Sequence, residues 1–127
     1  QRPTHAAALS FGRELKLTPF GRGITPLQFA NNLAILGIVQ PPSIHSISQF
    51  LARDGSGKGC VAGLRALGFC IPAPSDMNAD RRAQWSEPAF RAVYEHLCQG
   101  LGSTSDTQTL VVNVIAVEHI LCKVSRW

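Results

Sequence analysis

The stretch that decides the predicted fold runs from GCVAGLRALGFCI (residues 59–71) through WSEPAFRAVYEHLCQGL (85–101) to QTLVVNVIAVEHILC (108–122). It contains every cysteine of the chain: Cys60, Cys70, Cys98 and Cys122. Each of two helix-like segments carries one cysteine, and each is followed by strand-like sequence that carries the next. This order predicts two helices packed on one face of a small antiparallel sheet.

The two helix-like segments have clear helical signals. Apolar residues recur at helical spacing in the longer one, at Phe90, Val93, Leu97 and Leu101. Ser86 is a good capping residue and Pro88 is tolerated in a first turn, so we expect a helix over Trp85–Leu101. A shorter helix is expected over Gly59–Gly68, where the final glycine can end it.

The last segment has the strongest strand signal. A strand is predicted over residues 108–117, because from Leu110 onward both alternating faces are apolar apart from Asn113, which is typical of a strand buried on both sides. Residues 68–71 read as a short strand, and Ile120–Trp127 as a closing edge strand. The sequence therefore predicts an α+β fold, a disulfide-stapled αβ sandwich preceded by a helical N-terminal region.

The N-terminal region is expected to be helical. Thr25 as a cap and Pro26 at the first helical position open one helix, and Gly37 can end it. On this helix Asn31 is expected to face outward. A weaker amphipathic helix is expected over residues 6–17, interrupted by a glycine.

The boundary between the two regions is ambiguous. Ser43–Ala52 fits a helix by its apolar spacing, but its short length and β-branched residues also permit a first strand. We favour the helix if the N-terminal half is a separate helical hairpin. The expected division is a helical region over residues 1–42 and an αβ-sandwich domain over residues 43–127, packed as one compact unit.

Four cysteines allow three disulfide pairings, and the sequence does not choose between them. If both helices pack on the same sheet face, the favoured pairing joins helix to helix, Cys60 to Cys98, and strand to strand, Cys70 to Cys122. Each of these disulfides would close a long loop of the chain and so stabilise the fold by about 4 kcal/mol in the chain-entropy model.

Composition and charge limit the class of protein. The chain of 127 residues is 45% hydrophobic and 16% charged, which excludes a disordered chain and indicates a packed core. The net charge of +4 favours anionic partners such as cell walls or anionic lipid. No apolar run is long enough for a membrane-spanning helix. An even number of cysteines, and a start at Gln1 without a signal-peptide core, favour a processed, secreted product.

The cysteine-bearing segments resemble a known family. A helix that opens with Gly59-Cys60, a Gly-x-Cys strand, and a long helix with Tyr94 shortly before Cys98 are similar to the killer toxins that viruses of smut fungi encode. The resemblance covers the chain from residue 59 onward. It implies an αβ sandwich cut from a larger secreted precursor that kills related fungal strains, with no catalytic residues. Fungal effectors of plant pathogens share this sandwich, so a plant-directed effector is an alternative.

The resulting expectation is a secreted antifungal toxin that acts without catalysis. Its expected partner is the wall, the membrane or a receptor of a sensitive fungal cell, with no nucleic acid, metal or cofactor, and self-association into a homo-oligomer is left open. Aromatic and basic side chains of the N-terminal region are the expected target-binding surface: Phe11, Phe20, Phe29, Arg13 and Lys16.

A small secreted ribonuclease-like hydrolase is the enzymatic alternative. Two histidines beside an arginine can perform acid/base chemistry on RNA if they meet in space, and His96 or His119 would be the candidates. No two histidines have helical metal-ligand spacing. The glycine-rich stretch at 55–59 lacks the Ser or Thr that follows the lysine of a phosphate-binding loop, so it is interpreted as a linker.

Overall fold

The computed structural model describes residues 1–15, 25–54, 59–73, 78–102 and 113–126, and every regular element in these ranges is an α-helix. The helices are α1 (His5–Glu14), α2 (Thr25–Ile35), α3 (Ile44–Asp54), α4 (Cys60–Ala66), α5 (Ala79–Gly102) and α6 (Val114–Val124). No strand or sheet occurs in the described ranges. The predicted αβ sandwich is therefore wrong, whereas the helical N-terminal region and the helical alternative for Ser43–Ala52 agree with the structure.

The C-terminal segment that was predicted as strands contains helix α6. Part of the predicted central strand, residues 108–112, lies outside the described residues, but residues 114–117 and most of the predicted edge strand are helical. The side chain of Asn113 caps this helix by accepting a hydrogen bond from the Ala116 N–H at 2.8 Å. Apolar residues on both strand faces are equally compatible with a helix that is buried on several sides, and the cap decides between the two.

Helix α5 begins earlier than its sequence pattern predicted. The side chain of Asn78 accepts a hydrogen bond from the Arg81 N–H at 3.0 Å and so supplies the cap. Ser86 is therefore inside the helix, where its buried hydroxyl donates to the Arg82 carbonyl at 3.2 Å. Pro88 also lies inside the helix.

The shorter helix α4 occurs where it was predicted. It ends near Gly68, whose φ of 98° is a left-handed conformation that favours glycine. The segment that follows, Phe69–Ile71, is irregular rather than the expected strand. The Arg65 side chain holds it against the helix by donating to the carbonyls of Ile71 and Pro72, both at 3.1 Å.

The helices pack chiefly in three pairs, α1 with α2, α3 with α5, and α4 with α6. One core joins the pairs, and its most deeply buried side chains come from five of the helices: Leu27, Ile47, Leu51, Leu64, Phe90, Val117 and Leu121. Because α1 and α3 pack mainly on other helices, they are not fully closed against each other.

A buried arginine ties α3 to α5. The guanidinium of Arg82, 8% exposed, donates to the Ala52 carbonyl at 2.7 Å and 3.2 Å. This carbonyl belongs to the last turn of α3, where no intrahelical amide is available. The bond therefore satisfies a buried cation and a helix end at once.

The backbones of α4 and α6 approach most closely at Gly63. A Cβ at this position would stand against the carbonyl oxygen of Leu121 and 2.7 Å from the carbonyl carbon. Both partners at this crossing are main chain, so neither can move aside as a flexible side chain would.

We expect Gly63→Ala to lower the free energy of unfolding by about 3 kcal/mol, because the added methyl group forces α4 away from α6. Urea denaturation followed by circular dichroism measures the change. Gly100→Ala is the matched control, since nothing lies within 4 Å of its added Cβ. This control should stabilise α5 by about 0.5–1 kcal/mol. Equal effects of the two substitutions would contradict the close contact.

Candidate anion-binding groove

A groove of about 320 Å³ lies between α1 and α3. It is lined by residues of both helices: Ala6, Leu9, Ser10, Arg13, His45, Ser46, Gln49, Phe50 and Arg53. Its volume is in the range of small-molecule sites. The α1 residues recur at helical spacing, and so do those of α3, so one face of each helix forms one wall.

The floor of the groove is apolar. Leu9 and Phe50 are buried, at 6% and 3% exposure, and both belong to the core. They anchor the two walls in the hydrophobic core, while the polar and charged side chains of the same helices also line the groove.

Two arginines face the groove from opposite walls. The guanidinium carbon of Arg13, on α1, lies 5.0 Å from the ring centroid of Phe50, on α3, in a cation–π contact across the groove. Arg53 lies near Asp80, with 3.9 Å between Nη2 and Oδ1, and both side chains are exposed. An exposed pair at this distance contributes little to stability.

The lining of the groove also contains a histidine, His45. Its Nδ1 lies 3.0 Å from the Glu87 carboxylate on α5, which also receives Arg91 at 3.4 Å. The Glu87 carboxylate thus lies between two basic groups at the α5 side of the groove.

The start of α3 is held by two serines. Ser43 and Ser46 exchange hydrogen bonds, each hydroxyl oxygen accepting from the backbone N–H of the other residue at 3.0–3.1 Å. This reciprocal arrangement resembles a capping box and satisfies two amides of the first helical turn. It fixes the position of His45 and Ser46 at the groove.

The expected target-binding residues separate in the structure. Phe11 and Phe29 stack with ring centroids 6.5 Å apart, and Phe11 remains 55% exposed. Arg13 lines the groove. Phe20 and Lys16 lie outside the described residues. The groove residues of α3 were not identified from the sequence, because only tertiary packing places them opposite α1.

No hydrogen bond or ion pair of the described residues joins two of the four histidines, so the structure does not form the catalytic pair that the enzymatic alternative requires. The His96 side chain, on α5, has no hydrogen bond or ion pair there, and His119 on α6 lies 3.5 Å from Glu118. Within the described ranges, no three His, Cys, Asp or Glu residues lie close enough to hold a metal ion.

A buried polar pair was missed by the sequence analysis. Asn31, expected to face outward, is fully buried, and its Oδ1 lies 2.8 Å from Nε2 of His5. His5 is 3% exposed, and its Nδ1 has no hydrogen-bond partner among the described residues. Burial lowers the pKa of His5 below its ordinary value of 6.5, although the bond to Asn31 opposes this. Protonation of His5 would place a positive charge in the core and leave its Nδ1–H without an acceptor among the described residues.

All four cysteines are free thiols in the structure, so neither expected disulfide is formed. Cys60 is buried on α4, whereas Cys70 is exposed in the segment after it. Cys98 lies near Tyr94 on the same helix and raises the pKa of the Tyr94 hydroxyl. The Cys122 thiol on α6 donates to Glu118 Oε1 at 3.1 Å.

Comparisons with protein-family models, with curated proteins and with solved structures find no match for this chain. The αβ sandwich that the killer-toxin resemblance implied is corrected by the helical structure. None of the helices in the described part of the chain is long and apolar enough to cross a membrane.

The buried His5 predicts a pH dependence of stability. Since its folded pKa is lowered, the unfolded chain binds the proton more tightly, and the free energy of unfolding should fall as the pH drops from 7 through 6.5 toward the folded pKa. Urea denaturation between pH 7.5 and pH 5 measures this slope.

His5→Gln removes the titrating group and should flatten the slope. His96→Gln is the matched control, since this imidazole is exposed and has no hydrogen bond or ion pair with the described residues, and it should leave the slope unchanged. A slope that survives His5→Gln would show that another group carries the pH dependence.

Proposed function

We propose that the chain is a binding module without catalytic function, and that its α1–α3 groove takes an amphipathic anion: a carboxylate, sulfate or phosphate attached to an apolar group. The observation that carries the proposal is the pair of arginines, Arg13 and Arg53, that face one apolar-floored groove from opposite walls. Such a site offers charge at the rim and buried apolar contact below, which are the two requirements of such a ligand.

The position of Arg13 favours binding. Its contact with the Phe50 ring holds the guanidinium near the groove before any ligand arrives. Side-chain ordering is a substantial part of the free-energy cost of association, and a pre-positioned arginine reduces it. Its planar fork of N–H donors can also make two parallel hydrogen bonds to a carboxylate or phosphate.

The second arginine is accessible to a ligand. Asp80 is its acidic neighbour, 3.9 Å away and 76% exposed. A bound anion can replace this solvated carboxylate at small cost, because exposed ion pairs contribute at most about 1 kcal/mol. The net charge of +4 further favours the approach of anions.

The function as a secreted antifungal toxin is a narrower form of the same proposal. In that form the anionic groups belong to the wall or membrane of a sensitive fungal cell. The positive charge and the cationic groove support it, whereas the corrected fold removes the sandwich likeness as an argument. A growth-inhibition assay of the purified protein on a panel of fungal strains tests it, with the Arg13→Gln/Arg53→Gln double variant as the comparison.

We expect n-octyl sulfate, below its micelle concentration, to shift amide NMR signals of α1 and α3. Arg13→Gln and Arg53→Gln should each weaken binding about tenfold, because each removes a charged hydrogen-bond donor worth about 1.4 kcal/mol. Titrations followed by two-dimensional NMR give the dissociation constants. The neutral analogue 1-octanol should bind more weakly than the sulfate.

Arg126→Gln is the matched control, because it removes the same charge from the end of the chain beyond α6. It should leave the affinity within about twofold, since long-range charge is screened by salt. Equal weakening by all three substitutions would show a non-specific charge effect and would contradict the groove as the site. Shifts centred on α4 or α6 would do the same.

A further inference from the structure

A second feature lies away from the groove, where α4 crosses α6. The backbones of Gly63 and Leu121 meet at this crossing. Cys60 lies one helical turn before Gly63, and Cys122 directly follows Leu121. The cysteines are therefore brought together by main-chain contact rather than by flexible side chains.

The thiol of Cys122 lies near the main chain of Cys60, whose amide lowers the pKa of that thiol. Two cysteines can be bridged without backbone movement only when their Cα atoms are within about 7 Å, and the main-chain contact between Gly63 and Leu121 is compatible with that limit. Of the four cysteines, this is the pair that the helix packing joins.

We propose that Cys60 and Cys122 are a dithiol pair that a low-molecular-weight disulfide, such as oxidised glutathione, converts into a disulfide bond between α4 and α6. The bond differs from both pairs expected from the sequence. It would lock the crossing of α4 and α6 by a covalent link, and reduction would release it.

The two thiols have different roles because their exposure differs. Cys122 is half-buried, whereas Cys60 is fully buried. Cys122 loses its proton to solvent, and its thiolate attacks one sulfur of oxidised glutathione, forming a mixed disulfide and releasing one glutathione thiolate. The Cys60 thiolate then attacks the Cys122 sulfur and releases the second glutathione. The two protons lost by the protein end on the two glutathione molecules, so two thiols are oxidised and one disulfide is reduced.

Glu118 controls how readily the pair reacts. Its carboxylate is 2% exposed and accepts the hydrogen bond of the Cys122 thiol. Burial is the main cause that raises the pKa of Cys122 to about 12; Glu118 adds to the rise and Arg126 opposes it. Burial and Glu118 also raise the pKa of Cys60. The thiolate is the reactive form, so this carboxylate slows oxidation of the folded protein.

The experiment uses the full chain with Cys70→Ser and Cys98→Ser, so that only the proposed pair remains. After exposure of the folded protein to oxidised glutathione, acid quenching and peptide mass spectrometry should find Cys60 joined to Cys122, with the loss of two hydrogen masses. The oxidised protein should unfold at a higher urea concentration than the reduced protein, and dithiothreitol should reverse both changes. In the same background, Glu118→Gln should oxidise several-fold faster.

Cys122→Ser is the matched control, because this half-buried position tolerates the exchange better than buried Cys60; it should leave Cys60 reduced while circular dichroism confirms the helical fold. The proposal is overturned if Cys122 stops at the glutathione mixed disulfide, or if both thiols stay reduced under conditions that oxidise the urea-unfolded chain. Mapping of Cys60 to Cys98, or of Cys70 to Cys122, in the oxidised wild-type chain would also overturn it.

Discussion

The contact between α3 and α5 is the constraint on which the rest of the described structure depends. Arg82 of α5 is buried and donates twice to the Ala52 carbonyl in the last turn of α3. The bond supplies an acceptor to a buried cation and a donor to a carbonyl at a helix end. Arg53 follows Ala52 directly and lines the groove, so the bond that holds the end of α3 also positions this residue.

Buried polar side chains join different helices at two contacts of the described residues. His5 meets Asn31 between α1 and α2, and Arg82 of α5 meets the Ala52 carbonyl of α3. A buried polar group that keeps a partner only in one arrangement penalises every alternative packing. These contacts add specificity to a core whose apolar side chains would accept several arrangements.

Most helices could be predicted from the sequence, and the failures have physical causes. The stop at Gly68 and the apolar spacing of the long helix act locally, so α4 and most of α5 were found. The start of α6 was predicted as a strand because residues 114–117 are all apolar, which removes the periodicity that separates a strand from a buried helix. Asn113 was the available signal, since an asparagine before an apolar run is a good helix cap, and it was read instead as an exception within a strand.

The sequence by itself determined the composition of a packed, basic domain and the local starts and stops of its helices, because caps, glycines and periodic apolar residues act over a few positions. It also predicted Arg13 as one of the target-binding residues. Only the tertiary structure decided that Arg13 faces Arg53 across a groove, that Asn31 is buried against His5, and that Cys60 adjoins Cys122 rather than Cys98. These pairings join residues 26 to 62 positions apart in the sequence, and at such separations the partner is chosen by how whole helices pack.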